Sequence, residues 1–198
     1  MTVELRKIEL GSRAEWRRWL AEHHGTSPGI WLIWRKKRAG AQPLTLDEAV
    51  QEALCFGWID STLRPLGNEK SALRFTPRKP GSIWSRLNKQ RVESLIAAGL
   101  MTDAGHKVVD AAQRDGSWGA LDAVEKLRVP DDLMQALAAD PGARRNFDAF
   151  TASAKKQALW WIESAKRPPT RARRIAEVVR LAAQNASVTS RRSRGDDD

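Results

Sequence analysis

The sequence predicts an α+β fold, with a small β-sheet and helices in the N-terminal two-thirds, followed by an all-helical C-terminal segment. Three observations predict it. Two runs rich in β-branched and aromatic residues, Ile30 to Trp34 and Trp58 to Leu63, stand between segments that carry helical caps and helical apolar spacing. After Pro80-Gly81 the apolar period is helical up to about residue 185. A length of 198 residues suits one domain, or one domain with a helical appendage.

Taken in order, Ser12-Arg13-Ala14-Glu15 reads as a capping box, with a Ser oxygen for orphan N–H groups and a Glu three residues on. Trp16, Trp19, Leu20 and His23 then share a helix face, which Gly25 and Pro28-Gly29 end. Ile30-Trp31-Leu32-Ile33-Trp34 is apolar on both faces, as in a strand covered on both sides. Thr45-Leu46-Asp47-Glu48 is a second capping box; Leu46, Ala49, Val50, Ala53 and Leu54 form its buried stripe and Gly57 ends it. Trp58 to Leu63 is a strand stopped by Pro65, Leu66-Gly67-Asn68-Glu69 is turn chemistry, and Ala72 to Thr76 returns as the partner strand.

Ser82 or Ser85 caps the next helix, with Trp84, Leu87, Arg91 and Leu95 as its stripe and Gly99 as its stop. Thr102 caps a helix to about Arg114, which Asp115-Gly116 ends. Pro130-Asp131-Asp132 opens a short helix, and Asp140-Pro141, an N-cap with Pro at the first helical position, opens another that runs into Phe147 and Phe150. Leu159, Trp160 and Ile162 mark one more. Pro168-Pro169 interrupts, and Thr170 caps a final helix with Ile175, Val178, Val179 and Ala182 inside. Beyond Ala186 the Ser/Arg-rich sequence, ending in three Asp, has too little apolar surface to order itself. The expected division is an α+β core over residues 1–127, a helical segment over 128–185 and a disordered tail over 186–198, with the joint near 115–130.

Composition narrows the function classes. Cys55 is the one cysteine, so an intramolecular disulfide and the usual multi-Cys zinc site are excluded. No metal site and no cofactor are expected. The N-terminus lacks a signal-like apolar run and no window nears the roughly 20 apolar residues of a membrane span, so a cytoplasmic location is expected. Nine Trp and no Tyr mean that large aromatic packing is built from indole. The net charge of +10 is concentrated: Arg64 to Arg91 holds eight Lys/Arg against Glu69, and Lys155 to Arg194 eleven against Glu163 and Glu177. Such windows are either solvated faces or binding surfaces for an anionic ligand, an acidic protein or nucleic acid.

Glu52-Ala53-Leu54-Cys55-Phe56-Gly57-Trp58-Ile59-Asp60-Ser61 and Arg74-Phe75-Thr76-Pro77-Arg78-Lys79-Pro80 are joined by Ser82, Trp84-Ser85, Asn88 and Arg91-Val92. Gly99, Met101-Thr102, Ala104-Gly105, Asp115-Gly116, Trp118, Val129-Pro130, Ala165-Lys166, Thr170-Arg171 and Arg174-Ile175 continue the pattern. Together they resemble the bacterial YdeI/OmpD-associated family over roughly residues 15–184. The chain departs from that pattern in lacking Tyr before Arg74, where Leu73 stands. The resemblance implies a small cytoplasmic binding, stress-response or bacteriocin-protection protein, and brings no reaction, cofactor or catalytic residue with it.

The densest chemistry lies between Asp60 and Asn88. Arg78 and Lys79 precede a Pro-Gly turn, and Ser82 to Ser85 present a helix N-terminus, so Asp60, Arg74, Arg78, Lys79, Ser82, Trp84, Ser85 and Asn88 are candidate anion or ligand contacts. The alternative is a capping Ser82 with Arg78 closed onto Asp60 or a nearby Glu. Asp60 is either a general base in a cleft or a structural partner of Arg74 or Arg78. Cys55 reads as a small buried hydrophobe. Lys155, Lys156, Lys166, Arg167, Arg171, Arg173, Arg174 and Arg180 form a candidate surface for weak, sequence-independent nucleic-acid binding or an acidic partner. Three functions follow: a non-enzymatic binding or protection protein, a nucleic-acid binder, and a small enzyme acting on an anionic substrate around Asp60, Arg78 and Asn88.

Overall fold

The computed structural model describes residues 4–35, 44–67 and 70–188. Their contacts divide the chain into two compact units, residues 1–120 and 121–198.

The first unit runs β1 (Arg6–Glu9), α1 (Arg13–His23), β2 (Ile30–Arg35), α2 (Leu46–Cys55), β3 (Trp58–Leu66), β4 (Lys70–Pro77), α3 (Arg86–Ala97) and α4 (Asp103–Arg114). The sheet order is β1-β2-β4-β3, with β1 parallel to β2 across the α1 crossover and the other pairs antiparallel. β3 and β4 are the expected hairpin, and Asn68 and Glu69 of its turn lie outside the described residues. Pro65 does not stop β3, which continues to Leu66. Among the described strands β3 is an edge of the sheet, a place where proline is tolerated because one side of the strand needs no ladder bond. β1 was not foreseen, because Ile8 is its one apolar residue.

Ile30 and Leu32 of β2 are buried, whereas Trp31, Ile33 and Trp34 are half-buried, so the strand is sealed on one face over Ile30 and Leu32 and only partly covered on the other. Trp16, Trp58, Trp84 and Phe75 are the largest side chains sealed in this core. At 150–250 Å² each and about 25 cal/mol per Å², each Trp contributes on the order of 4–6 kcal/mol of burial. Thr45 and Glu48 form the full capping box, while at Ser12 the Glu15 carboxylate reaches back instead to the Gly11 N–H. Ser85, not Ser82, caps α3, and Leu87 faces solvent; Val92 and Leu95 are the buried residues of that helix. α4 presses its Gly105 onto the carbonyl of Cys55, to which Thr102 Oγ1 also donates at 2.6 Å.

The second unit is helical: α5 (Asp122–Glu125), α6 (Asp131–Ala138), α7 (Pro141–Ala149), α8 (Ala152–Glu163) and α9 (Pro168–Ala183). Leu133, Leu137, Phe147, Leu159 and Ile162 form its core, which Val124 of α5 joins. Asp140 caps α7 through the Gly142 and Ala143 N–H groups, as its sequence implies. Pro168-Pro169 does not interrupt; it opens α9, where the first helical N–H groups need no partner and the fixed φ of proline fits. Val188 still packs beside this core, and residues 189–198 of the expected tail lie outside the described residues.

Candidate functional site

Arg78 follows the last residue of β4, and its N–H bonds the Gly57 carbonyl at the start of the hairpin. That anchor turns its side chain inward, leaving it 7% exposed. The guanidinium lies over the Trp84 ring, with Cζ 3.6 Å from the ring centroid. Nη1 donates to the carbonyls of Ile83 at 3.0 Å and Ser82 at 3.4 Å. Among the described residues Nε and Nη2 have no hydrogen-bond partner, nor has the indole Nε1 of Trp84, and all three are enclosed. Among the described residues Arg78 makes no ion pair. Burial pulls its pKa down to about 10, and the charge of Asp60 opposes that only in part. The guanidinium is therefore still cationic near neutral pH.

Beside Arg78 lies a pocket of about 130 Å³. Its near wall is the turn from Lys79 to Ser82 and the Trp84 ring; its far wall is Lys107, Val108, Ala111 and Ala112 of α4, continued by Asp115 and Ser117. Gly81, at φ +71°, shapes the turn, and its N–H donates to Asp115 Oδ2 at 3.0 Å. The Ser117 side chain, then the Ser117 N–H, then the Gly81 N–H hold the Asp115 carboxyl below the usual carboxylate range. The Ser117 N–H donates to Asp115 Oδ1 at 2.9 Å, while its buried Oγ makes no hydrogen bond among the described residues. Trp118 packs on Trp84 at 4.9 Å, extending the indole layer.

Of the residues singled out in the sequence, Arg78, Lys79, Ser82 and Trp84 meet at this pocket. The others do not line it. Ser85 accepts from the Asn88 N–H as the cap of α3, and the Asn88 side chain accepts from Arg91. Arg74 is exposed, across the β2–β4 pair from Trp31. Asp60 is half-buried opposite Phe75. The α4 wall and Asp115-Ser117 lie some thirty residues further on and carry no local signal beyond the Asp-Gly turn. Cys55 is fully buried, and burial followed by the charge of Glu52 pushes its thiol up, away from a reactive thiolate.

In the second unit the basic residues are largely occupied. Arg171 bonds Asp132 and Glu163, Arg180 bonds Glu177, and Lys156 bonds Glu125 at 2.5 Å. Lys155 donates to the Asp148 carbonyl, and Arg174 donates to the Trp161 carbonyl and Ser164 Oγ. Lys166, Arg167 and Arg173 stay exposed.

A family model described as a domain of unknown function (DUF8412) matches residues 8–108, and one described as Bacteriocin-protection, YdeI or OmpD-Associated matches residues 126–185. The chain belongs to the DUF8412 family, with a YdeI/OmpD-associated domain at its C-terminal end. The resemblance read from the sequence is thus supported over α6 to α9, while the motifs around Glu52–Ser61 and Arg74–Arg91 fall within the DUF8412 match. No curated protein and no solved structure matches the chain. Within the DUF8412 region lie Arg78, Trp84, Lys107 and Val108 of the pocket, whereas Asp115 and Ser117 fall beyond it.

Proposed function

We propose that this chain is a non-catalytic binding protein of the bacteriocin-protection kind whose DUF8412 unit holds a small anion at Arg78. One observation carries the reading: an enclosed guanidinium with no carboxylate partner and two unused N–H donors beside a pocket. A buried charge without a partner is costly, and a fold keeps one readily where a ligand supplies the counter-charge. Lys79 and Lys107 at the same pocket add attraction for an anion.

The enzyme reading draws less support, because Asn88 is spent on Arg91 and Asp60 does not line the pocket. The nucleic-acid reading retains Lys166, Arg167 and Arg173 as exposed cations, while five of the eight expected residues already have acceptors within the chain.

The test is thermal unfolding against a panel of small anions at constant ionic strength, with chloride as reference. A ligand at 100 times its Kd raises stability by about 2.7 kcal/mol. At least one anion is expected to raise the midpoint of the unmutated protein and not that of Arg78→Ala. A panel with no effect beyond chloride, or the same rise in Arg78→Ala, overturns the reading.

A further inference from the structure

The donors left unused at Arg78 are not a random pair. Nε–H and one N–H of Nη2 lie parallel on the same edge of the guanidinium plane, spaced to meet the two oxygens of one carboxylate. The opposite side, Nη1, is already spent on the Ser82 and Ile83 carbonyls, which fixes the plane and leaves a single fork. Stacking on Trp84 does not satisfy this fork, because the N–H bonds lie in the plane while the ring sits against its face. The Trp84 indole N–H is a further donor without an acceptor. Arg78 and Trp84 both belong to the pocket's lining.

The α4 wall is different. Lys107 carries its one side-chain donor, and Val108, Ala111 and Ala112 offer none. A phosphate or sulfate has oxygens on every side and would leave some of them against that wall, which is costly. A carboxylate is polar at one end only and can lay an apolar stub there. Size agrees: a cavity of about 150 Å³ takes a benzene ring, so a pocket of about 130 Å³ holds a ligand of roughly four to six non-hydrogen atoms. Asp115, exposed and anionic at the pocket, offsets part of the charge of Lys79 and Lys107 and so lessens what a second negative charge on the ligand would gain. The fork atoms are enclosed, so the wall must yield slightly for ligand oxygens to reach them.

Resting on the anion reading of this pocket, we infer that its ligand is a short-chain monocarboxylate, held by the Nε–Nη2 edge of Arg78 with its apolar end on α4.

The experiment titrates the full chain with butyrate, propionate, inorganic phosphate and sulfate at fixed ionic strength. Binding is read by calorimetry and by the indole N–H resonance of Trp84, assigned through Trp84→Phe. Butyrate is expected to bind and to shift that resonance, with phosphate and sulfate at least tenfold weaker. Arg78→Lys, which keeps the charge and loses the fork, is expected to weaken butyrate at least tenfold. Phosphate or sulfate binding as tightly as butyrate, or Arg78→Lys retaining full butyrate affinity, overturns the carboxylate assignment and leaves the anion reading standing. If no anion binds and the Trp84 resonance never moves, both fall. Should Arg78→Lys not fold, the order of the four anions on the unmutated protein decides.

Discussion

Glu52 and Arg78 are both enclosed, yet Glu52 has Arg13 at 2.5 Å and Arg17 at 2.6 Å, while Arg78 has carbonyls and an indole face. The fall of the Arg78 pKa to about 10 corresponds to roughly 3 kcal/mol of uncompensated burial. For a base whose folded pKa is depressed, this penalty is full at every pH below about 10 and is relieved only as pH rises through that value. Removing Arg78 forfeits charge-assisted hydrogen bonds and a cation–π contact of similar total size. Arg78→Leu is therefore expected to cost less than about 2 kcal/mol near neutral pH, whereas Glu52→Leu, which takes the shared partner from two part-exposed arginines, costs more, about 2–3 kcal/mol. Urea unfolding of the two variants checks the order, and equal losses would mean that Arg78 is held as firmly as a structural ion pair. Arg78 was legible as a candidate because two basic residues before a Pro-Gly turn concentrate charge locally. That it would be the one residue sealed inside, while Arg74 and Lys79 stay out, depends on the Gly57 carbonyl anchoring its backbone, and only folding supplies that.

At the level of elements, the approach of α4 to the end of α2 sets where the far wall of the pocket stands. A Cβ on Gly105 would lie 2.3 Å from the Cys55 carbonyl oxygen, which is backbone and cannot swing aside. Gly105→Ala is expected to destabilise by at least about 2 kcal/mol in chemical denaturation, despite the better helix propensity of Ala. At Gly25, where a Cβ meets nothing within 4 Å, the same change stays within about 0.5 kcal/mol. An unchanged Gly105→Ala protein would show that α4 can shift away at little cost. The capped helices α2, α4 and α7 were readable because each N-cap side chain and its acceptor geometry lie within four residues. Where the sequence misled, the governing fact was tertiary. Pro168-Pro169 reads as a break or as a helix start depending on what precedes it, and Leu87 joins a regular apolar stripe whose buried side lies elsewhere. The pocket's α4 wall was invisible for the same reason, since small aliphatic residues on a helix carry no mark of what they face.

For the whole molecule, two cores assembled from different stretches of chain match the two family models that divide the sequence, while the change of period after Pro80-Gly81 falls inside the first unit, where α3 and α4 follow the sheet. No described helix is long and apolar enough to cross a membrane. The sheet of the first unit is open at β3, whose outer half exposes Leu63 and Leu66 beside Arg64. An open apolar edge is a template on which further chains stack and grow into fibrils. Here Pro65 has no N–H to offer an incoming strand, and the register shift between Asp60 and Leu63 breaks the flatness such stacking needs. Pro65→Thr restores the donor while keeping the strand, and it is expected to turn a clear concentrated solution turbid with a thioflavin-positive precipitate. If the variant stays as monodisperse as the parent in light scattering, the proline is not what protects the edge. The residue that reads as the end of a strand would then be, on the positive outcome, the one that keeps this protein from polymerising.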